Sequence, residues 1–424
     1  MKKSVIKTFT FVIFSFFLYG CQTPQSRLPT ISSERTKLEE QKQKEMVVED
    51  YVSSQNKLFG IYTKVLASSN SFCEKNLGPY LGFKTWTNQT FDKDWRDAFA
   101  MKYGLTDKLH ISYIAPGSPA EKAGLRVKDV IKSVDGWAVV NEKTSPVKLD
   151  EKVQELLKTK SNISVTIERG ADTLTIPIQP IQACNFSVTL MPEDIKNAAA
   201  DGKRIIFYKG MMDFAKNDDD IALILSHELA HNTMKHIDSQ RKNQILGGIL
   251  GVILDVAAAA GGVNTNGDFT RAGMNAGALA YSVEFEQEAD YVGLYIMANA
   301  GFDINNAPNF WRRMATINSN AITIKTTHPT TPERFVGLEE AVKEINSKKE
   351  KNLPLIPETK LTSNQKPPES AEQSNSKQEV SPASRDKQKS IDSKLKELKR
   401  LRNDGLISEK VYEERQSAIL QQMQ

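Results

Sequence analysis

Charge of one sign is nearly absent as a surplus: 56 Lys and Arg stand against 52 Asp and Glu, a net charge of +4 over 424 residues. Such a balance makes no case for a nucleic-acid partner. Cysteine is rare, with only Cys21, Cys73 and Cys184, and histidine hardly commoner, with five residues. Long apolar runs number two, residues 9–19 and 245–263, and Asp255 interrupts the second. An aspartate there costs roughly 2.5–3.5 kcal/mol in a bilayer centre, and Gly247, Gly248 and Gly251 weaken the run as an isolated helix. What remains, with 39% hydrophobic and 25% charged residues, is the composition of a soluble multidomain chain.

Against that scarcity, three of the five histidines, His227, His231 and His236, fall within ten residues. His227-Glu228-Leu229-Ala230-His231 puts two imidazoles four residues apart, hence on one face of a helix, with a carboxylate beside the first. With so few histidines, random placement gives this pentad with a probability on the order of a few in a thousand. Packed histidines on an amphipathic helix are therefore a weak alternative to a metal site. Asn217 and Asp218 to Asp220 precede the apolar run 221–225 and suit the start of that helix. A catalytic zinc needs a third protein ligand and a position left open for water. The segment 281–290 carries two carboxylate pairs of helical spacing, Glu286 with Asp290 and Glu284 with Glu288, and periodicity alone excludes neither.

HELAH, the later Glu286-Gln287-Glu288-Ala289-Asp290 and the segment from His328 to Phe335 together resemble the HtpX-like and CAAX-prenyl-protease-like zinc metallopeptidases, gluzincins, and especially their periplasmic BepA-like branch. The likeness covers roughly residues 183–338, and one departure is Val283, where relatives carry Arg. It implies one Zn2+ per chain held by His227, His231 and Glu286, with Asp290 as motif partner in a supporting position. Water on such an ion has a pKa near about 7; Glu228 would take its proton and pass it to the leaving amine. His328 falls near the metal in the family pattern, either steadying the oxyanion or occupying the open position as a brake. Arg334 reads as a structural ion-pair partner, and His236, off the ligand face, as structural. Arg204–Tyr208 reads as a strand, either an edge to which substrate adds or an ordinary core strand.

Residues 1–20 carry Lys2, Lys3 and the first apolar run, the composition of a secretory signal. Leu18-Tyr19-Gly20-Cys21 resembles a lipobox, which implies lipidation at Cys21 and, with Gln22 following, anchorage to the outer membrane of a Gram-negative bacterium. In that oxidising compartment Cys73 and Cys184 read as a disulfide, with two buried free thiols as the alternative. Between them, the run from Ile114 to Leu125 and that from Asp129 to Gly136 resemble a bacterial PDZ domain. In that family Tyr80-Leu81-Gly82-Phe83 corresponds to the loop that binds a peptide C-terminus; the bland alternative is a spacer with a plain turn.

The expected division is a signal peptide 1–20, tether 21–49, N-terminal helix of the catalytic domain 50–75, PDZ domain 76–182, zinc metallopeptidase 183–345, disordered linker 346–389 and a SHOCT-like helical hairpin 390–424. The 245–263 stretch is expected to be a small-residue helix packed near the active site or a mobile cover, with membrane or partner contact open to it. The fold class is multidomain α+β: a mostly helical zincin domain with a small edge-strand sheet, an inserted β-rich PDZ domain and a C-terminal helical hairpin. The implied function is endopeptidase quality control of unfolded or misassembled envelope proteins in the periplasm, with self-association or partner docking through 390–424. A chaperone or assembly scaffold with a bound but mostly silent zinc site is the rival.

Overall fold

The computed structural model describes residues 26–27, 29–73, 76–260, 263–279, 282–317 and 332–358. Cys21, His328 and the 390–424 hairpin lie outside them. Helix α1 (Ser33–Ala67) is rich in Glu, Lys and Gln, which favour helix, and starts where Ser32 Oγ accepts the Arg35 N–H at 3.2 Å. It ends as the Ser69 hydroxyl turns back to the Val65 carbonyl at 2.5 Å. The expected break between a tether and a helix near residue 50 is thus not there: one helix runs from Ser33. The reason is visible in its buried positions. Val48 and Val52 pack with Trp86 and Phe99, while Leu58, Ile61, Tyr62, Val65 and Leu66, at helical spacing, enter the main core.

After α1 comes a β-rich module. β1 (Leu77–Tyr80) pairs antiparallel with β8 (Ile181–Cys184), so the module's two ends meet, and Cys73 and Cys184 form a disulfide at this base with Cα atoms 5.4 Å apart. Inside lie β2 (Phe83–Trp86), α2 (Lys93–Tyr103), β3 (His110–Ile114), α3 (Pro119–Lys122), β4 (Val130–Val134), β5 (Trp137–Ala138), α4 (Ser145–Leu156), β6 (Ile163–Arg169) and β7 (Asp172–Ile178). The sheet order is β2-β3-β4-β6-β7, all neighbours antiparallel, with β5 paired to β4. Alternation along β6 buries Ile163, Val165 and Ile167 in the module's own core, as a one-sided sheet requires.

The chain then forms a three-stranded sheet from β9 (Ser187–Met191), β10 (Ala198–Ala200) and β11 (Arg204–Tyr208), in the order β10-β11-β9. β11 is antiparallel to β10 and parallel to β9. It is therefore central, and the edge-strand reading of Arg204–Tyr208 is wrong: its N–H and C=O groups are used on both sides, and β10 stands at the edge instead. Helices follow: α5 (Lys209–Phe214), α6 (Asp218–Thr233), α7 (His236–Ala260), α8 (Asp268–Leu279), α9 (Ser282–Asn299), α10 (Ala307–Ile317) and α11 (Pro332–Glu350). α6 is buried from Asp220 through Asn232, and each fully buried Leu or Ile in it contributes about 1.5–3 kcal/mol.

α7 departs from expectation. Its apolar stretch packs on α8 rather than over the catalytic core, and Ile245, Leu246, Ile249, Leu250, Val252, Ile253, Leu254 and Val256 are 48–64% exposed. Glycines make the contact: a Cβ on Gly247 would lie 2.0 Å from the Gly273 carbonyl oxygen, and one on Gly251 2.2 Å from that of Phe269. Asp255 is no burden here. Its carboxylate accepts the Thr270 N–H at 2.9 Å, the Thr270 hydroxyl at 2.6 Å, the Phe269 N–H at 3.2 Å and the Thr265 hydroxyl, fastening the connection into α8. The Thr265 and Thr270 hydroxyls hold its pKa down to about 2.

Candidate metal centre

α6 is capped by Asn217, whose Oδ1 accepts the Asp220 N–H at 2.9 Å, and three aspartates occupy its first turn, where the helix dipole favours them. Asp220 also pairs with Arg313 of α10 at 2.6 Å, tying the start of α6 to the helix that carries Trp311. The other end of α6 carries His227, Glu228 and His231, which are 1%, 3% and 4% exposed. One turn of helix brings the two Nε2 atoms to 3.1 Å from each other.

α9 brings the third group. Gly293 allows it close to α6, since a Cβ there would stand 3.1 Å from the His227 backbone nitrogen and Cα. Two turns earlier on α9, Glu286 sets Oε2 3.4 Å from His227 Nε2 and Oε1 3.3 Å from His231 Nε2. These three residues form a buried group whose ligand atoms all lie within 4.8 Å of one another and could hold a metal ion. The fit can be checked against geometry. Tetrahedral ligands at 2.0–2.1 Å from zinc are separated by about 3.3 Å, and the three separations found are 3.1, 3.3 and 3.4 Å. Of the two carboxylate pairs in this segment, Glu286 faces the imidazoles, whereas Glu288 reaches His236 at 2.8 Å; Glu284 is exposed.

Each imidazole is also held at its far nitrogen. His227 Nδ1 lies 3.0 Å from Asp290 Oδ1, and Asp290 in turn takes a two-pronged contact from Arg334, Nε at 2.7 Å and Nη2 at 2.8 Å. Arg334 also sets Nη1 3.1 Å from Glu286 Oε2 and lies over the Trp311 ring, which walls the site beside His227. Burial disfavours charge on His227, but Asp290 and Glu286 outweigh it and raise its pKa to about 10 without a metal. Burial lowers that of His231, aided by His227 and opposed by Glu286. For Asp290, burial works against ionisation, but Arg334 and His227 prevail and the pKa is lowered. Once a metal ion displaces the His227 proton, two imidazole nitrogens and a carboxylate oxygen facing one point in a buried setting suit a divalent cation of borderline softness.

Three further neighbours complete the surroundings of the site. His236 sits 3.0 Å from His231, Nδ1 to Nδ1; its place as a third histidine within ten residues was the signal. Asn232, 4% exposed, ties α6 to the sheet, accepting the Gly202 N–H at 2.8 Å and donating to the Arg204 carbonyl at 3.2 Å. Trp311, in the 310–314 segment that shares in the family resemblance, is the third, its ring 5.1 Å from that of His227.

In the β-module, Tyr80 ends β1, Phe83 begins β2, and Leu81 and Gly82 between them give their carbonyls to the N–H groups of Ala120 and Ala115 at 2.9 and 2.8 Å. β2 is an edge strand. Beside this turn a cavity of about 340 Å³ is bordered by Phe83 and Lys84 of β2, Val153 and Gln154 of α4, and Phe59 and Tyr62 of α1.

A pentad-bearing helix, a carboxylate from a second helix and a small sheet beside them are arranged as in zincin-type metallopeptidases, here joined to a β-module whose strand β2 ends its sheet. Residues 158–342 match the family model described as Peptidase family M48 and residues 75–168 that of the PDZ domain. The two matches overlap, and strand pairing assigns the overlap: β6 and β7 complete the sheet of the PDZ domain. Among similar proteins, mitochondrial metalloendopeptidase OMA1 of Schizosaccharomyces pombe is 30% identical over 153 residues, 35% of this chain and 44% of that one. The beta-barrel assembly-enhancing protease of Yersinia pestis is 31% identical over 139 residues, 31% of this chain and 28% of that protein. Its namesake from Escherichia coli O157:H7 is 30% identical over 162 residues, 35% and 33%. The chain thus spans less than half the length of these relatives.

Proposed function

We propose that this chain is a zinc-dependent endopeptidase that cleaves unfolded or misassembled proteins of the bacterial cell envelope. The observation that carries the reading is the convergence of His227 Nε2, His231 Nε2 and Glu286 at tetrahedral separations, with Asp290 behind His227. Zinc held there would supply Lewis acidity and a water of lowered pKa. Glu228, next to the first ligand on α6 and buried, takes the proton of the attacking water and returns it to the leaving amine. Arg334 keeps Asp290 ionised and holds Asp290 and Glu286 in place, as a positioning group. A substrate backbone adds to the edge of β10 and lies beside α6. His328, by resemblance only, acts close to the metal from the segment outside the described residues.

The PDZ-like module supports recruitment of substrate C-termini: β2 ends its sheet, where a peptide strand could add, and the cavity beside α4 takes an apolar side chain. The signal-like leader, the lipobox resemblance at Cys21 and the Cys73–Cys184 disulfide support a periplasmic site with a lipid tether to the outer membrane. The relatives named for beta-barrel assembly suggest outer-membrane proteins as clients. The exposed apolar face of α7 offers a contact for a membrane or client, and 390–424 one for a partner or second copy.

The test compares wild type with Glu228→Gln. Both should bind one zinc per chain, while cleavage of unfolded casein drops by about 10²–10⁴-fold in the variant. If wild type binds zinc and cleaves neither casein nor denatured outer-membrane protein, the chain is a scaffold instead.

A further inference from the structure

We propose that His236 is a positioning residue for the metal centre, which turns the lone pair of His231 toward the ion and is itself held by Glu288. The inference rests on the metal-site reading of His227, His231 and Glu286. His231 Nε2 faces His227 and Glu286 at 3.1 and 3.3 Å, so a metal-binding His231 carries its proton on Nδ1. That Nδ1–H points at His236 Nδ1, 3.0 Å away, which must then accept. His236 accordingly keeps its proton on Nε2, and this faces Glu288 Oε2 at 2.8 Å. Every donor in the row meets an acceptor. The reverse assignment sets a lone pair of His236 against a carboxylate.

The chain goes to some length to put His236 there. α6 stops at Thr233, and Lys235 adopts a left-handed φ of 59° before α7 begins at His236. For a residue other than glycine this conformation is costly. It folds the chain back so that an imidazole five residues after His231, off the face of an uninterrupted helix, returns beside it. His236 is 1% exposed, and the Phe285 ring stacks on it with centroids 4.7 Å apart and planes 18° apart. Phe285, Glu286 and Glu288 all belong to α9. One helix therefore gives the third ligand directly and orients the second through His236, much as Asp290 of the same helix stands behind His227. Partners behind a ligating imidazole fix its tautomer and ring plane, and their loss typically weakens metal binding 10–100-fold.

The experiment measures zinc affinity of the full chain by competition with a chromogenic chelator, together with the visible spectrum of the cobalt(II) form. His236→Phe keeps the aromatic packing and should bind zinc about 10–100-fold more weakly with a changed cobalt spectrum. His236→Asn places an acceptor near the position of Nδ1 and should recover part of that loss. Glu288→Ala removes a carboxylate that is 43% exposed, does not threaten folding, and should weaken binding by up to about tenfold. Equal affinities for the Phe and Asn variants, or zinc affinity within twofold of wild type in both His236→Phe and Glu288→Ala, overturn the proposal. Should His236→Phe not fold, unchanged affinity in Glu288→Ala and His236→Asn overturns it equally. A wild-type chain that takes up no zinc at all defeats the metal-site reading itself, a result distinct from these.

Discussion

Asn232 and Gly202 are joined across the catalytic core: the amide oxygen of Asn232, next in sequence to the second histidine of the pentad, accepts the Gly202 N–H at 2.8 Å. The same side chain donates to the Arg204 carbonyl at 3.2 Å, so one residue of α6 grips the turn between β10 and β11. This amide thereby helps hold the edge strand in place against the metal helix. Asn232→Ala leaves the Gly202 N–H without this partner, while the Arg204 carbonyl keeps the Asp201 N–H at 3.2 Å, and should cost about 1–3 kcal/mol of stability. Because the metal ligands are untouched, zinc stoichiometry should stay at one while KM for an unfolded substrate rises. An unchanged KM alongside the lost stability would show that β10 does not receive substrate.

Gly293 governs how near α9 comes to α6. A methyl there meets the His227 backbone at 3.1 Å, tighter than ordinary contact, and the branched side chain of Val would force the helices apart. Gly293→Val should lose about 1–3 kcal/mol through overpacking and weaken zinc binding at the same time, because Glu286 rides on the displaced helix. Chelator competition and a thermal melt of the metal-free protein check the two effects separately. A stability loss with unaltered zinc affinity would mean that Glu286 is placed by the Arg334 contact alone.

His110 gives the PDZ domain a pH dependence of its own. It is 9% exposed at the start of β3, with Nε2 2.7 Å from the Thr106 hydroxyl. Burial, chiefly, lowers its pKa, with Lys108 adding to this and a backbone hydrogen bond at Lys128 and the Glu168 carboxylate opposing it. In the unfolded chain the imidazole takes up a proton as pH falls through about 6.5, whereas the folded domain resists until a lower pH. Between the unfolded and the lower folded pKa the unfolded state holds more protons, so stability present above about pH 6.5 is lost on acidification through that window, with a slope of at most about 1.4 kcal/mol per pH unit. Denaturant midpoints at pH 7.5 and 5.5 should differ for wild type, and the part due to His110 should vanish in His110→Asn. Equal slopes in the two proteins would place the dependence elsewhere.

Legibility in the sequence followed the range of the physics. The pentad could be read because i and i+4 meet on any helix, and the β-module because its turns and apolar alternation are local. Glu286 is different: nothing in residues 281–290 says which carboxylate faces α6, since that depends on Gly293 and on the rotation of α9, and only the resemblance pointed to it. Arg204–Tyr208 looked like a strand and is one, but whether a strand is central or at an edge is decided by partners, and the short alanine strand β10 has no apolar pattern to announce it. His236 was set aside because an unbroken helix would carry it off the ligand face. Lys235 breaks that helix in a conformation that its residue type does not advertise. In the same way, the run 245–263 was apolar enough to suggest burial, whereas its glycines face α8 and its large side chains face outward.

That inside-out arrangement of α7 and α8 yields the last prediction. Large apolar residues drive most helix pairs together by burying themselves, yet here Ile249, Ile253 and Val256 point away from the partner and backbone meets backbone at Gly247 and Gly273. Cohesion must come from close van der Waals packing between small residues and from the four hydrogen bonds at Asp255. A side chain at Gly247 meets a carbonyl oxygen at 2.0 Å, an overlap that no rotamer relieves. Gly247→Val should therefore separate the two helices, while the same exchange at distant Gly337, where a Cβ meets nothing within 4 Å, should not. Limited proteolysis reads the difference: the Val variant should be cut within 245–279 much faster than wild type. Zinc affinity should remain close to normal, because His236 at the base of α7 is fixed separately by Phe285 and Glu288. Resistance to cleavage in the Val variant would show that the glycine contact does not hold the hairpin. A simultaneous collapse of zinc binding would instead show that the hairpin and the metal centre fold as one unit.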